Sequence, residues 1–274
     1  MSSILPHKAS RKSEEAPLKT LGIAVGALLL AAGPAAAQVL ELRQYRLVEG
    51  RRDAFIDLFE REFVETQEAE GMRLVGQFRD ADDPRRFTWL RAFPDMPARQ
   101  QRLAAFYSGA VWRTHRAAAN AMMVDSDNVL LLRPAGPGSV LHPAAERAAP
   151  GAAAPPAGIV VANIWRVWTE PDAAFAAAFE ATVRPELEAA GLPVIGAYLP
   201  VREPNTFPAL PVREGEKVFV WFTRTDSAHA YAAAVKRLEA RPGWKAKVAP
   251  LMADQLESPP LVRRLSPTPR SALR

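Results

Sequence analysis

The sequence predicts an α+β fold: two tandem ferredoxin-like (β-α-β-β-α-β) units that close into one intramolecular dimeric α+β barrel. Three observations predict it. The chain repeats itself, each copy alternates strand and helix periodicity in the same order, and a Pro/Ala/Gly-rich stretch separates the copies.

The repeat is read first, because a missed repeat misassigns a whole fold. "QYRLVEGRRDAFIDLFE" (44–60) aligns with "IWRVWTEPDAAFAAAFE" (164–180) at an offset of 120. Tyr45 falls on Trp165, Phe55 on Phe175 and Phe59 on Phe179. "AEGMRLVGQF" (69–78) aligns with "AAGLPVIGAY" (189–198), glycine on glycine twice. An insertion then raises the offset to about 131, so that "FTWLRAFPD" (87–95) meets "VFVWFTRTD" (218–226) and Trp112 meets Trp244.

Each element follows from local pattern. Val39–Val48 and Ile159–Trp168 alternate as strands. Phe55, Leu58, Phe59 and Phe63, then Phe175, Phe179 and Val183, recur at helical spacing. Gly71 and Gly191 sit just past those helices, where a left-handed cap belongs. Two more strands follow in each copy (Arg73–Arg79 and Arg86–Phe93; Pro193–Pro200 and Lys217–Arg224). Second helices are expected over Ala98–Phe106 and Ala228–Ala240, with further helical stretches at Trp112–Met123 and Trp244–Gln255. Last strands lie at Asn128–Arg133 and Leu261–Leu265. Helices cover one face of each four-stranded sheet, so the other face needs a cover, and two tandem sheets can cover each other.

The expected organisation is a leader (1–37), a first unit (38–133), a flexible or partly extended linker (134–158), a second unit (159–265) and a loose tail (266–274). The insertion at 200–216 is expected to be a long loop, of the kind that is often functional or disordered.

Apolar residues make up 49% and charged residues 24%, an ordinary globular composition. The formal charge of +5 is dispersed, and no glycine-rich phosphate loop or aromatic-basic motif accompanies it, so no nucleic-acid partner is expected. With no cysteine, disulfides, thiolate metal sites and cysteine nucleophiles are excluded. Four histidines are too dispersed to suggest a metal site.

Residues 1–37 read as an export leader. Lys8, Arg11, Lys12 and Lys19 precede an uncharged run of twelve residues, Leu21 to Ala32, and Ala35-x-Ala37 follows. The run is shorter than the roughly 20 residues of a membrane span. Cleavage after Ala37 and a secreted or periplasmic location are expected, with an uncleaved anchor as the alternative. Cleavage would take the formal charge from +5 to +3, through loss of four basic and two acidic residues. No stable membrane span would then remain.

The first strand carries Glu41, Arg43 and Tyr45 on one face. They could form a pocket with an anion clamp, a base and a hydrogen-bond donor, or a structural pair fixing register where the two sheets meet. Val161, Asn163 and Trp165 stand in their place in the second copy, so the charged set occurs once. Trp89, Arg91, Trp112, Trp165, Trp221 and Trp244 are candidate cavity or core residues. His115 shares a helical face with Trp112 and Ala119, and could ligate haem or be a surface or capping histidine.

"LELRQYRLVEGRRDAFIDLFE", "GQF", "FTWLRAF" and "AVW" resemble the NIPSNAP family. Glu41, Leu42, Arg43, Tyr45 and Gly50 fit its opening strand and turn, and Trp112 its late tryptophan. Trp89 and Arg91 depart from it, standing where a histidine and a tryptophan are expected. The resemblance implies the dimeric α+β barrel fold. It also implies a wider superfamily containing cofactor-free quinol monooxygenases and haem proteins. Asn163 with Trp244 is similar to the asparagine and tryptophan that some of those enzymes use. The expectation is a small-molecule-binding protein with an aromatic-lined cavity between helices and sheet, needing no cofactor. The alternatives are a cofactor-independent monooxygenase on phenolic or quinol substrates, with Glu41, Arg43 and Tyr45 assisting proton transfer, or a haem-binding protein. A homo-oligomer is possible.

Overall fold

A computed structural model describes residues 39–274; the expected leader and its cleavage point lie outside the described residues. The first repeat runs β1 (Val39–Leu47), α1 (52–69), β2 (Arg73–Asp80), β3 (Arg86–Phe93), α2 (Met96–Ser108), α3 (Ala110–Ala121), a short β4 (Met123–Asp125) and β5 (Val129–Pro134). The second runs β6 (Ile159–Arg166), α4 (173–189), β7 (Val194–Pro200), β8 (Val218–Thr225), α5 (Ala228–Ala240), α6 (244–255) and β9 (Leu261–Pro267).

The sheet order is β3-β2-β9-β6-β8-β7-β5-β1-β4, and β1 also pairs with β3. Eight strands therefore close a barrel, with β4 attached to the edge of β1. Within the first repeat the order is β5-β1-β3-β2, and the second repeats it as β9-β6-β8-β7. The repeats join where the last strand of one meets the second strand of the other, at β5–β7 and β2–β9, both antiparallel. Closure removes every free edge among these eight strands.

Strand alternation sorts side chains between two layers. Leu40 and Leu42 point into the barrel with Val160, Ala162 and Ile164. Val39, Tyr45 and Leu47 face α1 and α2, and Trp165 faces α4. The helices carry matching stripes. Phe55, Phe59 and Phe63 are buried on α1, and Met96, Arg99, Leu103 and Phe106 on α2. Both α1 and α4 contain a π-turn at the same place, Phe59–Phe63 and Phe179–Val183. Gly71 and Gly191 end these helices with φ of 81° and 85°, a conformation that favours glycine.

Two expectations need correction. The tail at 266–274 is not loose, and the 134–158 segment is not simply a flexible linker. β2 and β7 each bulge by one residue, before Gly76 and before Gly196. Both glycines face the barrel interior and leave room for a leucine from the other repeat. A Cβ on Gly76 would lie 3.2 Å from Leu273, and one on Gly196 2.9 Å from Leu141. Hydrogen bonds reproduce the match. The Ala135 and Thr268 amides donate to the Ala197 and Gln77 carbonyls, and the Ala197 and Gln77 amides donate to the Ser139 carbonyl and the Ser271 hydroxyl. The Ala144 amide then donates to the Ala272 carbonyl, so the two straps meet. The repeat thus continues past its last strand. Polar and proline-rich composition hid it, because one leucine per strap, a few backbone groups and two arginines, Arg270 on Glu60 and Glu65 and Arg147 on Glu68 and the Leu74 carbonyl, make the attachment.

The 200–216 insertion is ordered against the other repeat. Val201, Phe207, Leu210 and Val212 pack on the first repeat's core. Phe207 stacks on Tyr107 with ring centroids 5.8 Å apart. The Val201 and Arg213 amides donate to the carbonyls of Leu131 and Val129 on β5.

Candidate functional site

Glu41 is the hub of the first repeat's helix-facing layer. One of its oxygens, Oε2, accepts from Arg43 Nη1 at 3.1 Å and from Arg91 Nε and Nη2 at 2.9 and 2.5 Å. The other, Oε1, accepts from Arg99 Nε at 2.6 Å. Glu41 and all three arginines are fully buried at 0% exposure. The antiparallel register sets Glu41 opposite Arg91 and Arg43 opposite Trp89. Both guanidiniums lie within 5.5 Å of the Trp89 ring, in cation–π range.

The arginines reach outward to further partners. Arg43 Nε donates to the Tyr45 hydroxyl at 2.9 Å, and Arg91 Nη1 donates to Gln67 Oε1 at 2.7 Å. Gln67 in turn donates to the Phe63 carbonyl. Arg99 Nη1 donates to Asn205 Oδ1 at 2.9 Å and to the Thr206 hydroxyl at 3.4 Å, so the second repeat's insertion closes the network. Burial alone would raise the Glu41 carboxyl, but Arg91, Arg43 and Arg99 outweigh it and hold the group well below the usual carboxylate range. Burial raises the Tyr45 phenol despite the nearby Arg43, so Tyr45 stays neutral near pH 7.

The Glu41 set therefore lies between sheet and helices, not where the two sheets meet, and among the described residues it lines no ligand-sized cavity. The nearest cavity, of about 30 Å³, is walled by Tyr45, Gln67, Trp89, Tyr107 and Trp112 among others. That is room for little more than a water. Phe63 fills most of the layer, packing on Phe106, Trp112 and His115. His115 is half-buried on α3 with Nε2 3.4 Å from a Glu62 carboxylate oxygen.

The second repeat has the space and lacks the charges. A cavity of about 460 Å³ lies between β6, α4 and α6, lined by Trp165, Phe175, Phe179, Val183, Leu251 and Met252, with Glu170, Asp172 and Gln255 also in its wall. Four of these positions match the first repeat's small cavity, where Tyr45, Phe55, Phe59 and Phe63 stand. Val183 in place of Phe63 removes a ring and helps open the pocket. Of the predicted cavity residues, Trp165 lines this pocket and Trp89 and Trp112 line the small one. Asn163 and Trp221 are buried opposite each other across β6–β8, outside both. Trp244 packs half-buried on the second core. Arg91 belongs to the ion network. The cavity is therefore built by fewer of the tryptophans than the sequence suggested.

Arg99 and Gln67 escaped the sequence reading. Each interrupts an apolar helical stripe, Arg99 between Met96 and Leu103 and Gln67 four residues after Phe63. A polar residue in a buried stripe is the signal that could have found them. Among the described residues, no group of three or more His, Asp or Glu side chains could hold a metal ion.

The closed eight-stranded sheet with helices outside defines an α+β barrel built from two ferredoxin-like repeats. Residues 40–136, the first repeat, match the NIPSNAP family model. Solved structures share the whole barrel. A proposed monooxygenase from Lactobacillus acidophilus NCFM is 15% identical with a TM-score of 0.52, over 87% of this chain and 99% of that one. Another, from Fusobacterium nucleatum subsp. nucleatum, is 10% identical with a TM-score of 0.51, over 88% and 96%. An anthrone oxidase-like protein is 11% identical with a TM-score of 0.52, over 87% and 94%. No curated protein matches the chain.

Proposed function

We propose that the protein binds a small, largely apolar aromatic molecule in the second repeat's cavity. The observation that carries this reading is the cavity of about 460 Å³ walled by Trp165, Phe175 and Phe179. Its size and lining are those of ligand sites. Ligand rings would meet aromatic edges and faces, while Glu170, Asp172 and Gln255 offer acceptors for a hydroxyl. The test is titration with 1-anilinonaphthalene-8-sulfonate, read by fluorescence. Met252→Trp, which fills the cavity, is expected to weaken binding at least about tenfold, by roughly 1.4 kcal/mol. Equal binding by the variant overturns the reading.

The oxygenase alternative draws support from fold neighbours described as proposed monooxygenases and anthrone oxidase-like. In this chain the reaction would need the second-repeat cavity, because Glu41, Arg43 and Tyr45 face no ligand-sized space. Oxygen uptake with hydroquinone or anthrone, lost in Met252→Trp, would favour it; no uptake would leave a binding protein. Haem ligation by His115 would compete with Glu62, and a Soret titration of wild type against His115→Ala tests it. Export belongs to the same proposal and rests on the 1–37 pattern: a native N-terminus at Gln38 supports it and an intact Met1 sinks it. Light scattering tests the oligomeric state, and intrachain closure leads us to expect a monomer.

A further inference from the structure

We propose that the Glu41–Arg43–Arg91–Arg99 cluster is a binding site for a compact monovalent anion of halide or formate size. Three guanidiniums meet one carboxylate, so the cluster holds a formal excess of two positive charges with every member fully buried. Among the described residues, Glu41 is the one carboxylate paired with any of the three. An uncompensated buried charge is among the most costly features a fold can carry.

Donor accounting points the same way. Arg91 uses all three of its nitrogens, on Glu41 and Gln67. Arg43 Nη2 and Arg99 Nη2 are buried and have no hydrogen-bond partner among the described residues. A guanidinium nitrogen left empty out of water is rare, and an anion satisfies both donor and charge. Tyr45, neutral and accepting from Arg43, keeps its own hydroxyl hydrogen for an acceptor. The nearest space, of about 30 Å³, is walled by Tyr45 and Gln67, the partners of Arg43 and Arg91, and by Trp89 and apolar side chains, not by the arginines themselves, so an occupant is held to little more than the size of a water.

The second repeat supplies an internal control. It builds the same four barrel strands and three helices, and the β1–β3 and β6–β8 registers with the starts of α2 and α5 correct the offset here to 132, which places Val161, Asn163, Thr223 and Tyr231 at the positions of Glu41, Arg43, Arg91 and Arg99. The fold therefore does not require the cluster. The insertion's Asn205 and Thr206, on Arg99, are half-buried, and mark the side from which solvent approaches the cluster.

The test is a wild-type crystal soaked in sodium bromide, with anomalous diffraction recorded at the bromine edge. An anomalous peak within hydrogen-bond distance of Arg43 Nη2 or Arg99 Nη2 is expected. Bromide found only elsewhere, or only ordered water at both nitrogens, overturns the proposal. Thermal unfolding at constant ionic strength gives a second readout. Bromide and formate should raise Tm saturably against gluconate, which is too bulky, and Arg99→Lys should need several-fold more anion for the same shift. Indistinguishable curves for all three salts would also overturn it. Neither readout depends on the second-repeat cavity.

Discussion

Arg91 holds a single oxygen of Glu41 with two nitrogens, directly across the β1–β3 pair. Removing the carboxylate charge leaves three buried guanidiniums facing one another. Glu41→Gln is expected to cost about 3–5 kcal/mol, the range for breaking a buried pair on one side. Urea unfolding with an unchanged m-value would measure it. The combined variant Glu41→Val, Arg43→Asn, Arg91→Thr and Arg99→Tyr imports the second repeat's residues. It should be more stable than Glu41→Gln alone, because it leaves no orphaned charge.

The same carboxylate predicts an acid response. Its folded pKa lies below the unfolded value, so its contribution is present above the ordinary carboxylate range near 4.5. That contribution is lost progressively as pH falls below that value toward the depressed one. Stability should therefore decline more steeply below about pH 4.3 in wild type than in Glu41→Gln. Parallel slopes in urea midpoints from pH 6 to pH 3 would refute the assignment.

The insertion's grip on the first repeat is open to exchange measurements. Phe207→Ala removes a half-buried ring stacked on Tyr107, and is expected to cost about 1 kcal/mol, roughly half of a full aromatic burial. Amide exchange should quicken in α2, which carries both Tyr107 and Arg99. Unchanged protection there would mean the insertion does not brace the helix.

The straps should matter out of proportion to their length. Leu273→Ala and Leu141→Ala each empty a site beside a bulge glycine inside the barrel, and about 3 kcal/mol is expected for each. Gly76→Ala should also destabilise, by about 1–3 kcal/mol, since its new Cβ would lie 2.5 Å from the Phe78 ring. Calorimetry showing a wild-type Tm for Leu273→Ala would show that the leucine does not hold the strap.

Much of this architecture was legible because repeats and periodicity are local signals. Gly71 on Gly191 and Phe59 on Phe179 sufficed to place strands, helices and caps, and the insertion was located from the jump in offset. Partnership across the fold was not legible. Glu41, Arg43 and Tyr45 were visible on one strand face, but Arg99 joins them from 58 residues away and Asn205 from the other repeat. The strap at 268–274 was missed because a single leucine leaves no period to detect. The tryptophans misled in the opposite direction: they are the same residue type whether they line a pocket, as Trp165 does, or pack a core, as Trp221 does.

The crossed straps have a consequence for how the two halves could diverge. Each half ends by filling a gap in its neighbour, so neither is complete alone, as in a symmetric pair of identical subunits. Identical subunits must carry every innovation twice. Here the two partners are written into one polypeptide, and that constraint is lifted: one half is tightly filled around a knot of charge, and the other has opened a room.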